Sequence, residues 1–544
     1  MPGLIDVHEH LTLADLASMR KVIAIVKTPY DAEGYMYTVD PNDPSKFNYI
    51  LKDGQKVKTV DAVKDQLISG GVTEAADTLL RGFTSVRDAG GWSNEVKAIT
   101  DYLDQNIKKV AEANKYDNLV APRIWASEKV ISATSGHADG TGHIDAFDFV
   151  DGETPEAQLD AVNNALGLSV ADGVPEMLKV TRDNFKLGAD FIKITPGGGV
   201  SSPYDPVDTT TMTPDEIRAV VEVAKGFNTY VTAHAYTAET INLLIDCGVK
   251  MVEHANMVDD AVMKRISLLN HDADSSNDFW VNISPFFPND YANIKSGEGA
   301  IKKAITETGT PKAFAYAKKY DLVDFVGFGS DVMYDPVSGA KAPKMLADLA
   351  GDINKAIEYQ KTVDPKFAAE IAGVDTTYTS FDILKMATSS NARILAESGE
   401  RTPYLNASGK VLTSDQIGVV APGAVADLVL AKYDPANGSS VLDQALSDFS
   451  NVSTNLLMVI KDGVVYKNTV SPLTIAQASN STHVSEAEFI ATTYQQVLGR
   501  QADGAGLSAW VGALNSNSDN RSAVIKALYD LSLIHISEPT RPER

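Results

Sequence analysis

Short, apolar, β-rich runs alternate with longer stretches of helical spacing along the first 400 residues, and this alternation restricts the fold more than any other property of the chain. The runs are Leu4–Val7, Phe83–Arg87, Arg123–Ala126, Phe191–Ile194, Tyr230–Ala233, Met251–Glu253, Trp280–Ile283 and Phe325–Phe328. Between them lie segments such as Asp215–Phe227 and Thr237–Cys247, whose apolar residues recur at helical intervals. Thr213-Pro214-Asp215-Glu216 reads as a helix start, with Thr213 as cap, proline at the first position and Glu216 closing a capping box. Eight strands alternating with helices predict an α/β fold, a (β/α)8 TIM-type barrel, with a doubly wound sheet as the alternative. The two differ in where chemistry sits, because only the barrel gathers the C-terminal ends of all its strands at one mouth.

Six residues stand at or near those ends. His8 and His10 follow the first strand, Lys193 lies within the fourth, and His234 and His254 end the fifth and sixth. Asp331 ends the eighth, after Gly327-Phe328-Gly329-Ser330. Two histidines at i and i+2 of an extended strand point to the same side, so both rings can grip one ion. Imidazole and carboxylate suit Zn²⁺ and similar divalent ions. Four histidines and an aspartate exceed what one tetrahedral site needs, so two ions are expected, with a bridging ligand between them. A lysine that has taken up CO₂ as a carbamate supplies two bridging oxygens. That chemistry needs a neutral amine, which burial favours. Taken singly, each residue has a blander explanation: a satisfied core histidine, an edge lysine, or an aspartate capping a helix. Their joint placement on five strand ends is what argues for a site.

Bulk properties narrow the partners. The net charge of −24 gives no basic footprint for nucleic acid or for an anionic membrane surface, and no apolar run is long enough to span a bilayer. A small-molecule substrate is expected instead. The single cysteine, Cys247, excludes an internal disulfide and a thiolate cluster, and lies in a helical pattern as a buried small hydrophobe. Composition sets no oligomeric state, and a homo-oligomer is compatible with it. The compartment stays open between the cytosol and export.

Residues 1–400 are assigned to the barrel. Residues 401–470 form a β-strand segment, with strands at Ile417–Val420, Asp427–Ala431 and Leu456–Ile460 and an Asp462-Gly463 hairpin turn. Residues 471–482 read as a linker, 483–530 as a small helical domain and 531–544 as a non-native tail resembling translated adapter read-through. Residues 28–60 and 284–320 read as long loops that would carry substrate choice. Met1-Pro2-Gly3 runs straight into the first strand, which reads as an incomplete N-terminus.

Several motifs together resemble the amidohydrolase superfamily. They are Pro2-Gly3-Leu4-Ile5-Asp6-Val7-His8-Glu9-His10, Gly82–Asp88, Ala189–Ile194, Thr232-Ala233-His234-Ala235, Glu253-His254-Ala255, Gly329-Ser330-Asp331, Met386–Ala392 and Gly418–Leu428. The branch is similar to imidazolonepropionase-like and Xaa-Pro-dipeptidase-like hydrolases, which include carboxypeptidase-like and ochratoxin-cleaving members. The resemblance covers roughly residues 1–470. It implies that His8, His10 and Asp331 hold a buried ion, that His234 and His254 hold an outer one, and that carboxylated Lys193 bridges them. Asp331 would also pass a proton from the attacking water to the leaving amine.

The same resemblance makes His137 a candidate to hold the substrate's carbonyl oxygen. Tyr236 is a candidate for hydrogen bonding a substrate carboxylate. His143 is expected in solvent, Gly197-Gly198-Gly199 as a flexible turn, and Arg87-Asp88 as a structural ion pair. Relatives carry additional N-terminal strands that complete a β-sandwich with residues 411–470, so exposed edges and apolar faces are expected here. The segment Phe489–Asp530 resembles a small helical domain of secreted, often calcium-associated bacterial proteins, which points to export. The activity implied is hydrolysis of a C–N bond in a dipeptide or N-acyl amino acid. The alternatives are a cyclic-amide hydrolase of imidazolonepropionase type, a lactonase or phosphotriesterase on the same ligands, and an inactive secreted binding or adhesion protein.

Overall fold

The computed structural model describes residues 1–97, 121–139, 165–285, 297–448, 456–470, 486–498 and 502–528, apart from isolated positions and short breaks within these ranges. His143, the linker at 471–482 and the tail at 531–544 lie outside the described residues.

The barrel strands are β1 (Leu4–Glu9), β2 (Phe83–Asp88), β3 (Arg123–Ala126), β4 (Ile192–Ile194), β5 (Val231–Thr237), β6 (Met251–Met257), β7 (Trp280–Ile283) and β8 (Val326–Gly327). β1, β2 and β3 pair in parallel, and so do β4 through β8 in chain order. Two seams close the ring. Residues Val130–Ser132, just beyond β3, pair with β4 through Ile131 and Ile194. At the other seam, Val7 N–H donates to the Phe328 carbonyl (3.1 Å) and Asp331 N–H to the His8 carbonyl (2.7 Å). Asn391 clips this seam from a neighbouring helix, its amide donating to the carbonyls of both Ile5 (2.6 Å) and Phe328 (2.7 Å). Every residue of β1, β2, β3 and β7 is buried, as strands covered on both faces must be. The fold is thus the barrel and not the open sheet.

Helix Pro214–Gly226 starts at the expected capping box, where the Thr213 side chain and Glu216 backbone, and the reverse pair, are both bonded. Helix Ala238–Cys247 ends on Gly248 in the left-handed conformation. Cys247 is buried as expected. Among the described residues no helix is long and apolar enough to cross a membrane.

The barrel floor is an apolar layer of Phe191, Tyr230, Met251 and Trp280 with Ile5, Val7 and Trp125. Above it the interior turns polar, with Arg87, Thr232, Glu253, Asn282 and Lys193 all buried.

Three expectations about loops and strands are corrected. Residues 28–60 are not one loop: Tyr37–Asp40 pairs with Asp43–Tyr49, and Leu51–Lys52 with Gln55–Lys56. The Tyr37 ring meets those of Phe47 and Tyr49 across the first hairpin, and such cross-strand aromatic pairs stabilise a strand despite the proline within it. Within 284–320, Gly297–Lys319 is a helix. Residues Ile417–Val420 form no strand, because Gly418 sits at φ +65° with its Cα so near the Thr388 carbonyl that a Cβ would lie 2.6 Å from that oxygen.

The second small sheet orders Leu428–Ala431, Leu456–Lys461 and Val464–Asn468, the last two joined by the Asp462-Gly463 turn at φ +53° and +78°. Its outer edge is paired, since Gly3 N–H donates to the Asp427 carbonyl (2.9 Å) and Val429 N–H to that of Met1 (3.0 Å). Its face is covered too. Val459 and Tyr466 pack with Phe489, Ile490, Tyr494, Leu507, Val511 and Leu514 of the C-terminal helices, and with Ala76 and Leu79 of helix Thr59–Leu80. The expected exposure is thus corrected for the Leu428–Ala431 edge and for the face of Val459 and Tyr466, while Leu430 stays exposed.

Candidate metal centre

The pleat of β1 sends Glu9 one way and both His8 and His10 the other. Their ring centroids are 5.2 Å apart. Asp6 fixes the seam beside them, its Oδ1 accepting from His8 N–H (2.9 Å) and Ser330 N–H (3.1 Å). That seam carries Asp331, whose Oδ1 lies 3.4 Å from His8 Nε2 and 3.3 Å from His10 Nε2. Ligand atoms of His8, His10 and Asp331 all fall within 4.8 Å of one another.

The remaining candidates come from β4, β5 and β6. Lys193 Nζ is 3.1 Å from His8 Nε2. The His254 ring lies 5.0 Å from that of His8, and the His234 ring 4.4 Å from that of His254. His254, Ala255 and Asp331 adopt φ of +80°, +49° and +51°, conformations that cost free energy for residues with a Cβ. Such strain gathers where a site needs a side chain aimed off the regular strand.

One nitrogen of each imidazole is already engaged. His8 Nδ1 faces Glu253 Oε2 (3.1 Å), His10 Nδ1 the Gly90 carbonyl (3.0 Å), His254 Nδ1 the Ser284 hydroxyl (2.9 Å) and His234 Nε2 the Gly198 carbonyl (3.0 Å). An outer hydrogen bond on one ring nitrogen sets the tautomer and orients the other, which is how metal-binding histidines are held. Burial pushes the His8 imidazole down to about 4, aided by the Lys193 ammonium. Burial likewise holds His234 and His254 well below the usual imidazole range. These are neutral, lone-pair-bearing rings at physiological pH. Burial pushes the Lys193 amine down to about 8. For Asp331 burial acts upward, but His8, His10 and His254 outweigh it and hold the carboxyl well below its ordinary value. Neutral imidazoles converging with an ionised carboxylate fit a divalent cation.

At the rim, the His137 ring stacks on His234 with centroids 4.0 Å apart and planes at 22°. Its Nδ1 lies 2.8 Å from the Ser202 hydroxyl and 3.5 Å from Asp205 Oδ2. Tyr236 is fully buried against His254, their rings stacked at 5.0 Å, and burial drives its phenol well above 10. The Gly197–Gly199 run is a close-packed crossing in place of the expected flexible turn: a Cβ on Gly199 would lie 1.9 Å from His137 Nδ1.

Arg87 and Asp88 are not an ion pair, because neighbours on a strand face opposite sides. Asp88 caps backbone N–H groups of Gly90 (3.0 Å) and Leu11 (3.2 Å), while Arg87 pairs with Glu253 under the histidines. Glu253, beside His8, is not among the expected site residues, although an acidic side chain inside an apolar strand is as strong a signal as Lys193. Ser202, Asp205 and Ser284 were missed as well, and no local pattern marks them.

The sequence model described as the Amidohydrolase family matches residues 1–398, nearly three quarters of the chain. The chain belongs to the amidohydrolase family. A second family, described as a domain of unknown function (DUF4214), matches residues 474–530. Among curated proteins, this amidohydrolase is similar to the ochratoxinase of Aspergillus niger, at 27% identity over 311 residues, 52% of this chain and 60% of the relative. It therefore spans about three fifths of that relative's length. Among solved structures it is similar to a prolidase complexed with N-methylphosphonate-L-proline (24% identity, 86% of each chain, TM-score 0.56). An amidohydrolase (24%, 87% of each chain, TM-score 0.57) and A. niger ochratoxinase (19%, 86% of this chain and 83% of the other, TM-score 0.56) share the fold as well.

Proposed function

We propose that the chain is a metal-dependent hydrolase that cleaves the C–N bond of a small amide or peptide-like substrate, such as a dipeptide or an N-acyl amino acid. The observation that carries this reading is the cluster of His8, His10 and Asp331 donor atoms within 4.8 Å, with Lys193 Nζ 3.1 Å from His8. When bound, a pair of divalent ions supplies a water whose pKa falls to about 7 and a Lewis acid for the scissile carbonyl.

His8, His10 and Asp331 would hold one ion and His234 and His254 the other, with Lys193 as a carbamate between them; zinc is the proposed metal. Asp331, whose carboxyl is held well below its ordinary value, would accept a proton from the attacking water and hand it to the departing amine. His137 would steady the carbonyl oxygen, and Tyr236, which keeps its proton, would donate to a substrate carboxylate. The similarity to a prolidase and to an ochratoxinase supports a small substrate. Lys193 beside His8 favours this reading over a one-metal cyclic-amide hydrolase.

The test is metal content of the pure protein by mass spectrometry, followed by amine release from Xaa-Pro dipeptides and N-acyl amino acids. About two ions per chain are expected, with turnover lost at least ~100-fold in Lys193→Ala while circular dichroism is unchanged. A supplemented protein that binds no ion would instead fit the inactive binding protein, and a fully active Lys193→Ala would remove the bridge.

A further inference from the structure

Under the histidines lies a carboxylate that the chemistry above does not use. Glu253 is completely buried, yet four donors from four strands meet its two oxygens. Oε1 accepts from Arg87 Nη2 and from the Thr232 hydroxyl (2.5 Å); Oε2 accepts from Asn282 Nδ2 (2.9 Å) and faces His8 Nδ1 (3.1 Å). Arg87 is anchored in turn by the Val7 carbonyl and the Tyr230 hydroxyl.

We propose that Glu253 is a positioning residue for the metal centre: its carboxylate accepts the His8 Nδ1–H and so turns the His8 Nε2 lone pair toward the ion. The proposal rests on His8 being a ligand. A guanidinium is charged at any physiological pH, so the group it pairs with is a carboxylate that can only accept. An imidazole nitrogen facing such an acceptor must carry the proton, since two lone pairs would repel. The Asn282 amide, 3.4 Å from the same nitrogen, is the competing donor, but it is farther away and is already bonded to Glu253. The charge-assisted contact is the stronger of the two. Arg87 keeps the buried charge compensated, and its contacts with β1, with Tyr230 just before β5 and with β6 transmit the position of those segments to the His8 ring.

The test measures Zn²⁺ affinity of the full chain by competition with a chromophoric chelator, alongside thermal unfolding. Glu253→Gln offers an amide that can donate to Nδ1 and reverse the tautomer. It is expected to weaken zinc binding about 10–100-fold. Because that variant also strands Arg87, the double variant Arg87→Met/Glu253→Gln is compared with it. Its Tm should recover while zinc binding stays weak. Affinity that returns together with Tm makes the role merely structural and overturns the inference, as does unchanged affinity in Glu253→Gln. A wild-type protein that takes up no zinc sinks the hydrolase reading and this inference together, whereas a tight-binding wild type with an equally tight variant sinks the inference alone.

Discussion

Glu128 shows what burial does to a single residue away from the donor group. It is completely buried just past β3, with Oε1 accepting from Asn94 N–H (2.8 Å) and Oε2 unpartnered among the described residues. Burial, then the Glu95 carboxylate, push its carboxyl from an ordinary 4.5 up to about 9. The folded state therefore holds this proton more tightly than the unfolded one, so Glu128 costs stability progressively as pH rises from about 4.5 to about 9. Thermal melts should find Glu128→Gln more stable than wild type by about 1–3 kcal/mol at pH 8–9, with the two curves converging near pH 4–5. A difference that does not vary with pH would sink this account. The same scale shows what could be read without coordinates. With only nine histidines in 544 residues, three that end strands and a fourth two positions further on stand out by type and place. Glu253 stands out in the sequence as a charge inside an apolar strand, but what it does depends on partners at positions 87, 232, 282 and 8.

Local elements were legible where local energetics decide them. The Thr213 box begins a helix because its own side chains satisfy the first orphan N–H groups, and no distant contact is required. The hairpins between 37 and 56 are not legible locally, because the prolines and aspartates there mask the alternation of Tyr37, Val39, Phe47 and Tyr49. The Gly197–Gly199 segment was misjudged for a different reason: it is glycine because another chain segment passes there. Adding a methyl in Gly199→Ala would displace the His137 ring from its stack on His234. Turnover of whichever amide the screen identifies is expected to fall about 100-fold, with zinc content and fold retained, since a displacement near 1 Å is enough for that loss. Normal turnover in Gly199→Ala would separate His137 from catalysis.

For the whole molecule, the C-terminal helices are part of the packed structure and not a tethered appendage. Phe489 and Ile490 are buried in one apolar cluster with Val459 and Tyr466 of the small sheet and with Ala76 and Leu79 of helix Thr59–Leu80. Phe489→Ala should therefore destabilise the fold by about 3–5 kcal/mol and increase binding of a hydrophobic dye at the small sheet. If circular dichroism and dye binding show the barrel and sheet unaffected, the helices contribute nothing to that core. The sequence by itself determined the strand–helix alternation, the helix start at Thr213 and the residue types able to hold a cation, because these follow from propensity, periodicity and side-chain chemistry over a few neighbouring positions. Tertiary structure alone decided that Arg87 answers Glu253 and not Asp88, that Met1–Gly3 and the last helices cover the small sheet, and that a carboxylate stands behind His8. Arg87 and Glu253 are 166 positions apart in the chain, and Met1 and Val429 are 428. Such contacts form only when the closed ring of strands brings those residues together, and no local preference along the chain encodes them.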